Sequence, residues 1–391
     1  MRYDFNKITD RTGTNSLKWD KYKDALPMWV ADMDIEVLPE IREVVVKRAE
    51  HGIYGYTTVD SEWSGSYINW WKTRHSFEIR KEWLRFVTGV IPAMNLLIRN
   101  ISGEGDNVVI QTPVYPAFFN IIRRNKRNVL ENMLIYDRQE RAYSVDWTDL
   151  EAKLSDPETK IMILCNPQNP AGNIWDKETL KRIGELCEKN GVTVLSDEIH
   201  CDIVAPGREY TPFASVSEIN RSISISFISP TKAFNVAGIQ SAAALAVDPE
   251  LRKAAWECFE TGYIDEGNYF STDICKAAFS EAGAEWIDQL RIHLWNNRKI
   301  AEDYIRDNMP ELRVIPSDAS YLMWVDCSAV MKDSVSFVYH LERKAGVMFS
   351  AGKSFGGNGD YFVRINLACP ESMLKEGLTR FRAGVASYGV Q

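Results

Sequence analysis

The sequence has no apolar segment long enough to cross a membrane. No window approaches the ~18 uninterrupted apolar residues that a spanning helix needs, and the polar start, MRYDFNKITD, has no apolar stretch typical of a secretory signal. The seven cysteines are scattered, odd in number and never arranged as C-x-x-C, which argues against a disulfide scaffold and a zinc site. We therefore expect a cytoplasmic protein with reduced thiols, no metal and no membrane association.

Long basic runs, repeats and low-complexity tracts are also missing. The 46 Lys and Arg residues against 54 Asp and Glu give a net charge of −8, so nucleic acid is a poor partner. Hydrophobic residues make up 45% and charged residues 26%, which excludes a wholly disordered chain. With 391 residues, the chain is long enough for two domains, or for one large α/β domain with an appendage.

Strands alternate with helices from residue 107 onward, which predicts a mainly parallel sheet with right-handed crossovers. The predicted strands include Val129–Ile135, Lys160–Cys165, Val192–Ser196 and Ser222–Ile228. Beyond Glu250, long helical stretches lead to a shorter αβ unit. We predict an N-terminal arm that packs on the small domain, a large domain, and a small C-terminal domain, at 1–44, 45–280 and 281–391.

Three of these strands each deliver a polar side chain to the same edge of the predicted sheet. Asn169 lies in the segment after the first, Asp197 follows the second, and Lys232 follows the third. Because ligands bind beyond the carboxyl ends of parallel strands, we expect an amide, a carboxylate and a lysine to face one cleft. Taken singly, each is better explained as a turn residue, a helix cap or a surface lysine, but their common position favours a functional site.

This combination suits pyridoxal 5′-phosphate (PLP). A lysine in a cleft can bind the aldehyde of PLP covalently, and a carboxylate beside the ring nitrogen keeps that nitrogen protonated, so that the ring accepts electrons. Lys232 and Asp197 fit these two roles, and Asn169 can donate to the 3′ oxygen of the ring. Ser229 and Thr231 flank the lysine and are candidates for binding the phosphate.

Eight short motifs follow one another along nearly the whole chain. They are YDFNKITDRTGTNSLKWD (3–20), LPMWVADMDI (26–35), TGVIPAM (88–94), QTPVYPAF (111–118), NPQNPAG (166–172), SDEIHCD (196–202), SPTKAFNVAG (229–238) and FVRINLACP (362–370). In this order they resemble PLP-dependent enzymes of the aspartate aminotransferase fold (fold type I), within them the MalY/PatB-type branch of cystathionine β-lyases, or C–S lyases. The resemblance implies an α/β fold in which a large domain with a mainly parallel central sheet carries a smaller α/β domain.

The resemblance also implies a role for each matching residue. Lys232 binds PLP covalently, and Asp197 pairs with the pyridinium nitrogen. Arg364 holds the substrate α-carboxylate with its bidentate fork, assisted by the backbone of Ala31. Tyr115 stacks on the cofactor ring and borders the substrate.

Further residues surround the 3′ oxygen and the phosphate in this resemblance. His200 joins Asn169 near the 3′ oxygen, while Val90 and Ile91 offer backbone N–H groups to the phosphate at the start of a helix. Many relatives have an arginine eight positions after the lysine, where this chain has Gln240.

Phosphate binding therefore depends on Ser229, Thr231, backbone amides and Tyr56, which relatives lend from a neighbouring subunit. The resemblance thus implies a homodimer with shared active sites, in which Tyr56 counts among the catalytic residues. The alternative is that Tyr56 packs within its own chain.

Several of these residues also have ordinary structural explanations. Asp197 can be a helix cap, and Arg364, inside an apolar strand, can belong to a buried ion pair. His200 and Tyr115 can be core residues. Asp32, in the motif that contains Ala31, can serve only to anchor the arm.

The function implied is the α,β-elimination of L-cystathionine or related S-substituted cysteines to pyruvate, ammonia and a thiol. One alternative is an aminotransferase, which uses the same residues to pass an amino group to a 2-keto acid. Another is a regulatory protein, because some members of this branch bind a transcription factor, although no sequence feature here marks such a surface.

Overall fold

The structure, a computed structural model, describes residues 2–388. Within that range the α-helices are α1 (Leu17–Asp20), α2 (Pro39–Glu50), α3 (Ser61–His75), α4 (Val90–Ile101), α5 (Pro116–Arg124), α6 (Trp147–Leu154), α7 (Lys177–Lys189), α8 (Glu218–Ser222), α9 (Pro230–Ala233), α10 (Pro249–Thr261), α11 (Ser271–Ala278), α12 (Glu281–Asn308), α13 (Ser334–His340) and α14 (Glu371–Ser387). A π-helical turn, Leu341–Ala345, continues α13. No helix of this part of the chain is long and apolar enough to cross a membrane.

The strands of the same range belong to four sheets. They are β1 (Leu26–Pro27), β2 (Leu84–Val87), β3 (Asn107–Thr112), β4 (Asn128–Met133), β5 (Ile135–Asp137), β6 (Ala142–Ser144), β7 (Thr159–Cys165), β8 (Thr193–Asp197), β9 (Ser224–Ile228), β10 (Ala242–Ala246), β11 (Arg313–Val314), β12 (Leu322–Asp326), β13 (Val347–Met348), β14 (Ser350–Ala351) and β15 (Phe362–Asn366).

The central sheet has seven strands in the order β2-β10-β9-β8-β7-β3-β4. Strands β9, β8, β7, β3 and β4 are parallel, while β10 is antiparallel to both of its neighbours. The register places Cys165 at the end of β7 beside Asp197 at the end of β8, and Asp197 beside Phe227 on β9. The segments that follow these three strands therefore leave the sheet side by side, as predicted.

Local sequence explains why these elements form. Strand β7 is apolar along nearly its whole length and buried on both faces, as a parallel strand between two helical layers requires. Helix α7 begins where Asp176 accepts a hydrogen bond from the Thr179 N–H at 2.7 Å. It ends just before Gly191, whose φ of +66° supplies the left-handed residue that commonly follows a helix.

Helix α3 was not predicted, although its core-facing side carries four aromatic residues. Trp63, Tyr67, Trp70 and Trp71 are all buried along this helix. Three of them contact the ring of Phe279, just after α11. The spacing i, i+4, i+7 and i+8 is that of an amphipathic helix and was visible in the sequence.

The predicted strand Val129–Ile135 is wrong as one continuous element. Strand β4 ends at Met133, and Ile135 begins β5, which pairs with β6 as an antiparallel hairpin. Apolar residues continue across the break, because Leu134 between the two strands is itself buried. Periodicity alone cannot reveal such a change of partner strand.

The N-terminal arm contacts the C-terminal part of the chain. Strand β1 pairs with β13 in parallel, and the Asn366 N–H donates to the Met28 carbonyl at 2.9 Å. Strands β11, β12, β15 and β14 form the antiparallel sheet of this part. The division at 44/45 falls inside α2 and that at 280/281 falls at the start of α12, and the three-part division stays a prediction.

Candidate active site

The carboxyl ends of β7, β8 and β9 open into a cleft of about 850 Å³. Asn169, Asp197 and Lys232 all line it, as the strand order predicts. The arm and the C-terminal sheet form the opposite wall, through Ala31 and Arg364 among others. The cleft therefore combines residues from the beginning, the middle and the end of the chain.

Lys232 lies on the short helix α9 and is half-buried in the cleft wall. Its Nζ donates a hydrogen bond to the Ala31 carbonyl oxygen at 2.7 Å. Burial, and then the positive charge of Arg364, lower the pKa of Lys232 to about 8, against the weaker opposing effect of nearby carboxylates. An appreciable fraction of this amine is therefore uncharged near neutral pH, as a nucleophile or base requires.

Asp197 is buried at the end of β8. Its Oδ1 accepts a hydrogen bond from the Ile199 N–H at 3.1 Å, so the carboxylate does cap the turn that follows. Its Oδ2 accepts no hydrogen bond from residues 2–388. Burial raises the pKa of Asp197 to about 7, although the Ile199 N–H and Lys232 both oppose the rise. A cationic group in the cleft would stabilise this carboxylate.

Arg364 is buried within β15 but forms no ion pair with any residue in 2–388. One Nη donates to Asn169 Oδ1 at 2.9 Å, the other donates to the Trp29 carbonyl at 2.8 Å, and Nε is buried without a partner. Burial lowers the pKa of Arg364 to about 10, which still leaves it charged at neutral pH. The alternative of a buried structural ion pair is therefore wrong, and an anionic ligand would supply the missing charge.

His200 is buried but lines the cleft, with its ring 6.1 Å from that of Tyr321. Burial, followed by the positive charges of Lys232 and Arg364, lowers the pKa of His200 to about 3, so the ring is neutral at physiological pH. Its Nδ1 is buried without a hydrogen-bond partner in the described part of the chain. His200 is therefore not a satisfied core histidine, and it retains a nitrogen for a ligand.

The predicted phosphate end of the cleft is built from backbone and hydroxyl groups. Val90 and Ile91 open helix α4, whose preceding residue, Gly89, provides no side-chain cap for the first N–H groups. Ser229 Oγ accepts from the Thr231 N–H at 3.0 Å and donates to a backbone carbonyl at 2.7 Å, so it also shapes its own turn.

Gln240 lines this end too, and among residues 2–388 the cleft has no lysine or arginine besides Lys232 and Arg364. A phosphate here would be met by a helix N-terminus and hydroxyl groups rather than by a guanidinium. PLP fits this set of groups. The α4 N–H groups lack a side-chain cap, Lys232 supplies an amine, Asp197 a buried carboxyl group, and His200 a nitrogen without a partner in the described part of the chain.

Two predicted residues differ sharply in where the structure places them. Tyr115 precedes α5 and borders the cleft with part of its ring exposed, so it is not a core residue. Tyr56 is fully exposed and does not line the cleft of its own chain. The alternative that Tyr56 packs within its own chain is therefore wrong, and its contribution from a second subunit stays a prediction.

Two residues that were not predicted contact the groups that hold Arg364 and Lys232. Ser350 Oγ lies 3.3 Å from Arg364 Nη2, because β14 pairs with β15 in a register that sets these two residues opposite each other. Tyr321 OH donates to the Ala31 carbonyl at 3.0 Å, the same oxygen that Lys232 uses. Neither belongs to a motif, and only the strand register could have identified Ser350.

One group of potential metal ligands is assembled from segments that are far apart in the sequence, so it was not predicted. His75, Cys201 and Asp202 place their ligand atoms within 4.8 Å of one another. Asp202 Oδ1 already accepts hydrogen bonds from Trp70 Nε1 at 2.8 Å and from the His75 ring at 3.0 Å. These bonds give the group a structural role, and the expectation of no metal stays a prediction.

The sequence profile of the aminotransferase class I and II family matches residues 28–381. The chain belongs to this family. Among its members, cystathionine β-lyase PatB of Bacillus subtilis (strain 168) is 38% identical over 98% of this chain and all of its own. The predicted resemblance to the PatB-type branch is thereby confirmed.

Solved structures of the aminotransferase class I and II fold agree. A PLP-bound protein of Clostridium difficile 630, provisionally named an aminotransferase, has a TM-score of 0.95 at 38% identity, covering 98% of this chain and 100% of its own. Cystalysin from Treponema denticola, whose structure contains a PLP cofactor, has a TM-score of 0.94 at 31% identity, covering 99% of both chains. The predicted fold type is confirmed.

Proposed function

We propose that the protein is a PLP-dependent carbon–sulfur β-lyase, which cleaves L-cystathionine or related S-substituted cysteines. The thioether and one water molecule yield a thiol, pyruvate and ammonium. Two relatives support this assignment, because PatB is named a cystathionine β-lyase and cystalysin contains PLP. The residues of the cleft support it independently.

The cofactor would be held by the residues that the structure brings together. Lys232 binds it covalently, and Asp197 lies against the ring nitrogen, where a protonated nitrogen and a buried carboxylate stabilise each other. The N-terminus of α4 and Thr231 receive the phosphate. When bound, PLP supplies an electron sink next to the Cα of the substrate.

Arg364 and Lys232 then act on the substrate itself. Arg364 binds the α-carboxylate through its bidentate guanidinium and thereby limits rotation of the substrate. Lys232, with a pKa near 8 in the cofactor-free protein, is suited to remove the Cα proton as a general base. The same proton is then available to the departing thiolate. The Ala31 carbonyl, which accepts a hydrogen bond from Lys232 Nζ, holds this amine in the cleft wall.

The observation that favours elimination over transamination is the distribution of charge in the cleft. Lys232 and Arg364 are its only cations among residues 2–388, and both already have a role. An enzyme that transfers amino groups between substrates such as glutamate needs another cation for the side-chain carboxylate, because that carboxylate, unlike the distal carboxylate of L-cystathionine, has no neighbouring ammonium group. Apolar walls and a thiolate leaving group suit elimination instead.

One assay separates the two reactions. Purified enzyme is incubated with L-cystathionine or an S-alkyl-L-cysteine, with and without 2-oxoglutarate. Pyruvate, ammonia and free thiol should form without any keto acid. Strict dependence on 2-oxoglutarate, with glutamate formed and no thiol released, would replace the lyase by an aminotransferase.

We further propose that the working unit is a cytoplasmic homodimer in which Tyr56 reaches the phosphate of the partner's site. Support comes from the full exposure of Tyr56 and from the 68% and 62% exposure of the neighbouring Ile53 and Tyr54, which leave much of this apolar segment uncovered. Two-fold dimers are also the commonest symmetric assembly.

Subunit mixing tests whether sites are shared. If Tyr56 acts across the interface, a mixture of Tyr56→Ala and Lys232→Ala proteins forms hybrid dimers that contain one intact site. Equal amounts should recover up to about a quarter of wild-type activity, because half of the dimers are hybrid and half of their sites are intact. No recovery after demonstrated subunit exchange, or a fully active monomer in sedimentation, would overturn the proposal.

A further inference from the structure

The cleft has a wall that neither the cofactor nor the α-carboxylate needs. Helix α13 and the π-helical turn after it present Val335, Val338, Tyr339 and Glu342 to the cleft. Their spacing of i, i+3, i+4 and i+7 places them on a single helical face. The arm also contributes Leu17 and Tyr22, and β13 contributes Met348. We name these seven residues the outer wall; they are aliphatic or aromatic except for Glu342, the one charged member.

Glu342 is half-buried on this wall and lacks a partner of its own. It forms no ion pair and no hydrogen bond with side chains of residues 2–388. The adjacent Arg343 lies 5.4 Å from the ring of Tyr339, in a cation–π contact, and is not paired with the carboxylate. A carboxylate that borders an apolar cleft without a counter-charge favours a cation in that cleft.

The two acidic groups of the cleft have different tasks. Asp197 lies at the sheet edge and, under the proposed function, pairs with the cofactor, so among the lining residues of 2–388 Glu342 is the carboxylate left for the substrate. The two cations of the cleft, Lys232 and Arg364, are likewise engaged. Among residues 2–388, the side chains that line the outer end of the cleft therefore include a carboxylate but no cation. Lys21, over the rings of Tyr22 and Trp29, is a nearby cation outside this lining.

We propose that Glu342 is a specificity-determining residue, which favours cysteine thioethers whose sulfur substituent ends in an ammonium group. The inference rests on the proposed lyase function and names its substrate class. The apolar side chains of the outer wall receive the carbon chain beyond the sulfur, and Glu342 receives the terminal charge. The distal end of L-cystathionine carries such an ammonium group beside a carboxylate, so a substituent with the ammonium alone should be favoured more strongly.

The test uses two substrates of the same length and shape. S-(2-aminoethyl)-L-cysteine ends in an ammonium where S-propyl-L-cysteine ends in a methyl group. The measured quantity is the ratio of their kcat/KM values, in which any general damage to folding or catalysis cancels. In Glu342→Gln this ratio should fall about fivefold, as expected for a partly exposed charge pair, and mainly through KM.

Two additional measurements sharpen the result. Glu342→Lys should lower the ratio further, because a like charge then opposes the ammonium. High salt should reduce the ratio in the wild type but not in Glu342→Gln, because screening acts only where the charge pair exists. The control Glu82→Gln, at an exposed glutamate outside the cleft, should keep the wild-type ratio.

The outcomes distinguish this inference from the proposed function. If the wild type releases neither pyruvate nor thiol from either thioether, the lyase function itself fails. If it cleaves both but Glu342→Gln and Glu342→Lys keep the wild-type ratio, only the assignment of Glu342 is overturned.

Discussion

Two groups of buried or half-buried charges differ in whether the chain itself supplies an opposite charge for each member. The first, the arm cluster, consists of Arg11, Lys18, Asp32 and Asp34. Lys18 is 1% exposed, yet its Nζ lies 2.6 Å from Asp34 Oδ2, while Arg11 contacts Asp34 at 2.7 Å and Asp32 at 2.9 Å. Every charge of the arm cluster thus has an opposite charge within the same short segment.

The second group, in the cleft, is left open. Arg364 has no carboxylate partner in 2–388, and Asp197 has a single backbone N–H. Glu198, the residue after Asp197, makes the contrast sharper, because it accepts hydrogen bonds from two serines, a tyrosine and a backbone N–H. Buried charges that are paired stabilise or specify a fold, whereas unpaired ones indicate where a ligand belongs. Asp32, in turn, is an anchor of the arm.

The largest effect should come from Lys232→Ala. Loss of the amine that binds the cofactor and takes the proton should lower kcat by at least about 10³-fold, and the visible absorbance band of bound PLP should disappear. Urea unfolding of the cofactor-free variant should stay close to that of the wild type, because Lys232 forms no ion pair in the described chain and its hydrogen bond to the Ala31 carbonyl is worth only about 1 kcal/mol. Lys253→Ala, at an exposed lysine, is the control. Wild-type turnover by Lys232→Ala would contradict the whole site.

Lys18→Met should have the opposite profile. Removing one partner of a buried ion pair costs about 3–5 kcal/mol of unfolding free energy, which urea denaturation measures. The molecules that remain folded should keep kcat within a few-fold, because Lys18 does not line the cleft. Adding Asp34→Leu should recover part of the loss. A stable but inactive Lys18→Met protein would show that the arm cluster serves activity rather than stability, which contradicts the contrast with the cleft.

The smallest effect concerns pH. In the cofactor-free protein, lowering the pH from 6.5 to 5 protonates His200 in the unfolded chain but not in the folded protein, where its pKa is about 3. The free energy of unfolding therefore falls. Over the same range Asp197 is protonated in the folded protein, where its pKa is about 7, but not in the unfolded chain. This contribution raises the free energy of unfolding. Each contribution is about 2 kcal/mol, and the two oppose each other.

Single substitutions should reveal the separate contributions of Asp197 and His200 to the pH dependence of stability. On acidification, Asp197→Asn should lose more stability than the wild type, and His200→Gln should lose less, as measured by urea midpoints at both pH values. His51→Gln, which removes an exposed imidazole, should follow the wild type. Identical pH dependence in all four proteins would contradict the opposed contributions.

Much of the site could be predicted from sequence because its main residues end consecutive strands. Asn169, Asp197 and Lys232 needed only the rule that parallel strands share an edge, and the motifs supplied Arg364 and Ala31. Ser350 and Tyr321 could not be found in this way, because they reach the site through strand register and long-range packing. Glu342 was missed because the sequence shows the helical face that it shares with Val335 and Tyr339 but not that this face borders the cleft.

The fold was predictable where the hydrophobic pattern was unambiguous and less so elsewhere. Helix α3 was overlooked although its aromatic residues have helical spacing. The break at Leu134 could not be seen, because a buried residue continues the apolar run while the strand changes partner. Whether Tyr56 works across an interface depends on a second chain, which no pattern within one chain can reveal.

The hydrogen bond from Arg364 to the Trp29 carbonyl joins residues that are 335 positions apart in the chain. During synthesis, the ribosome therefore releases Trp29 and Lys232 long before the strand that carries Arg364. A nascent chain that has made only the central sheet already contains Lys232 but not Arg364. Contacts of such long sequence separation form late and slowly, so under the proposed function the chain binds the carboxylate of an amino acid only after its last strands have been added.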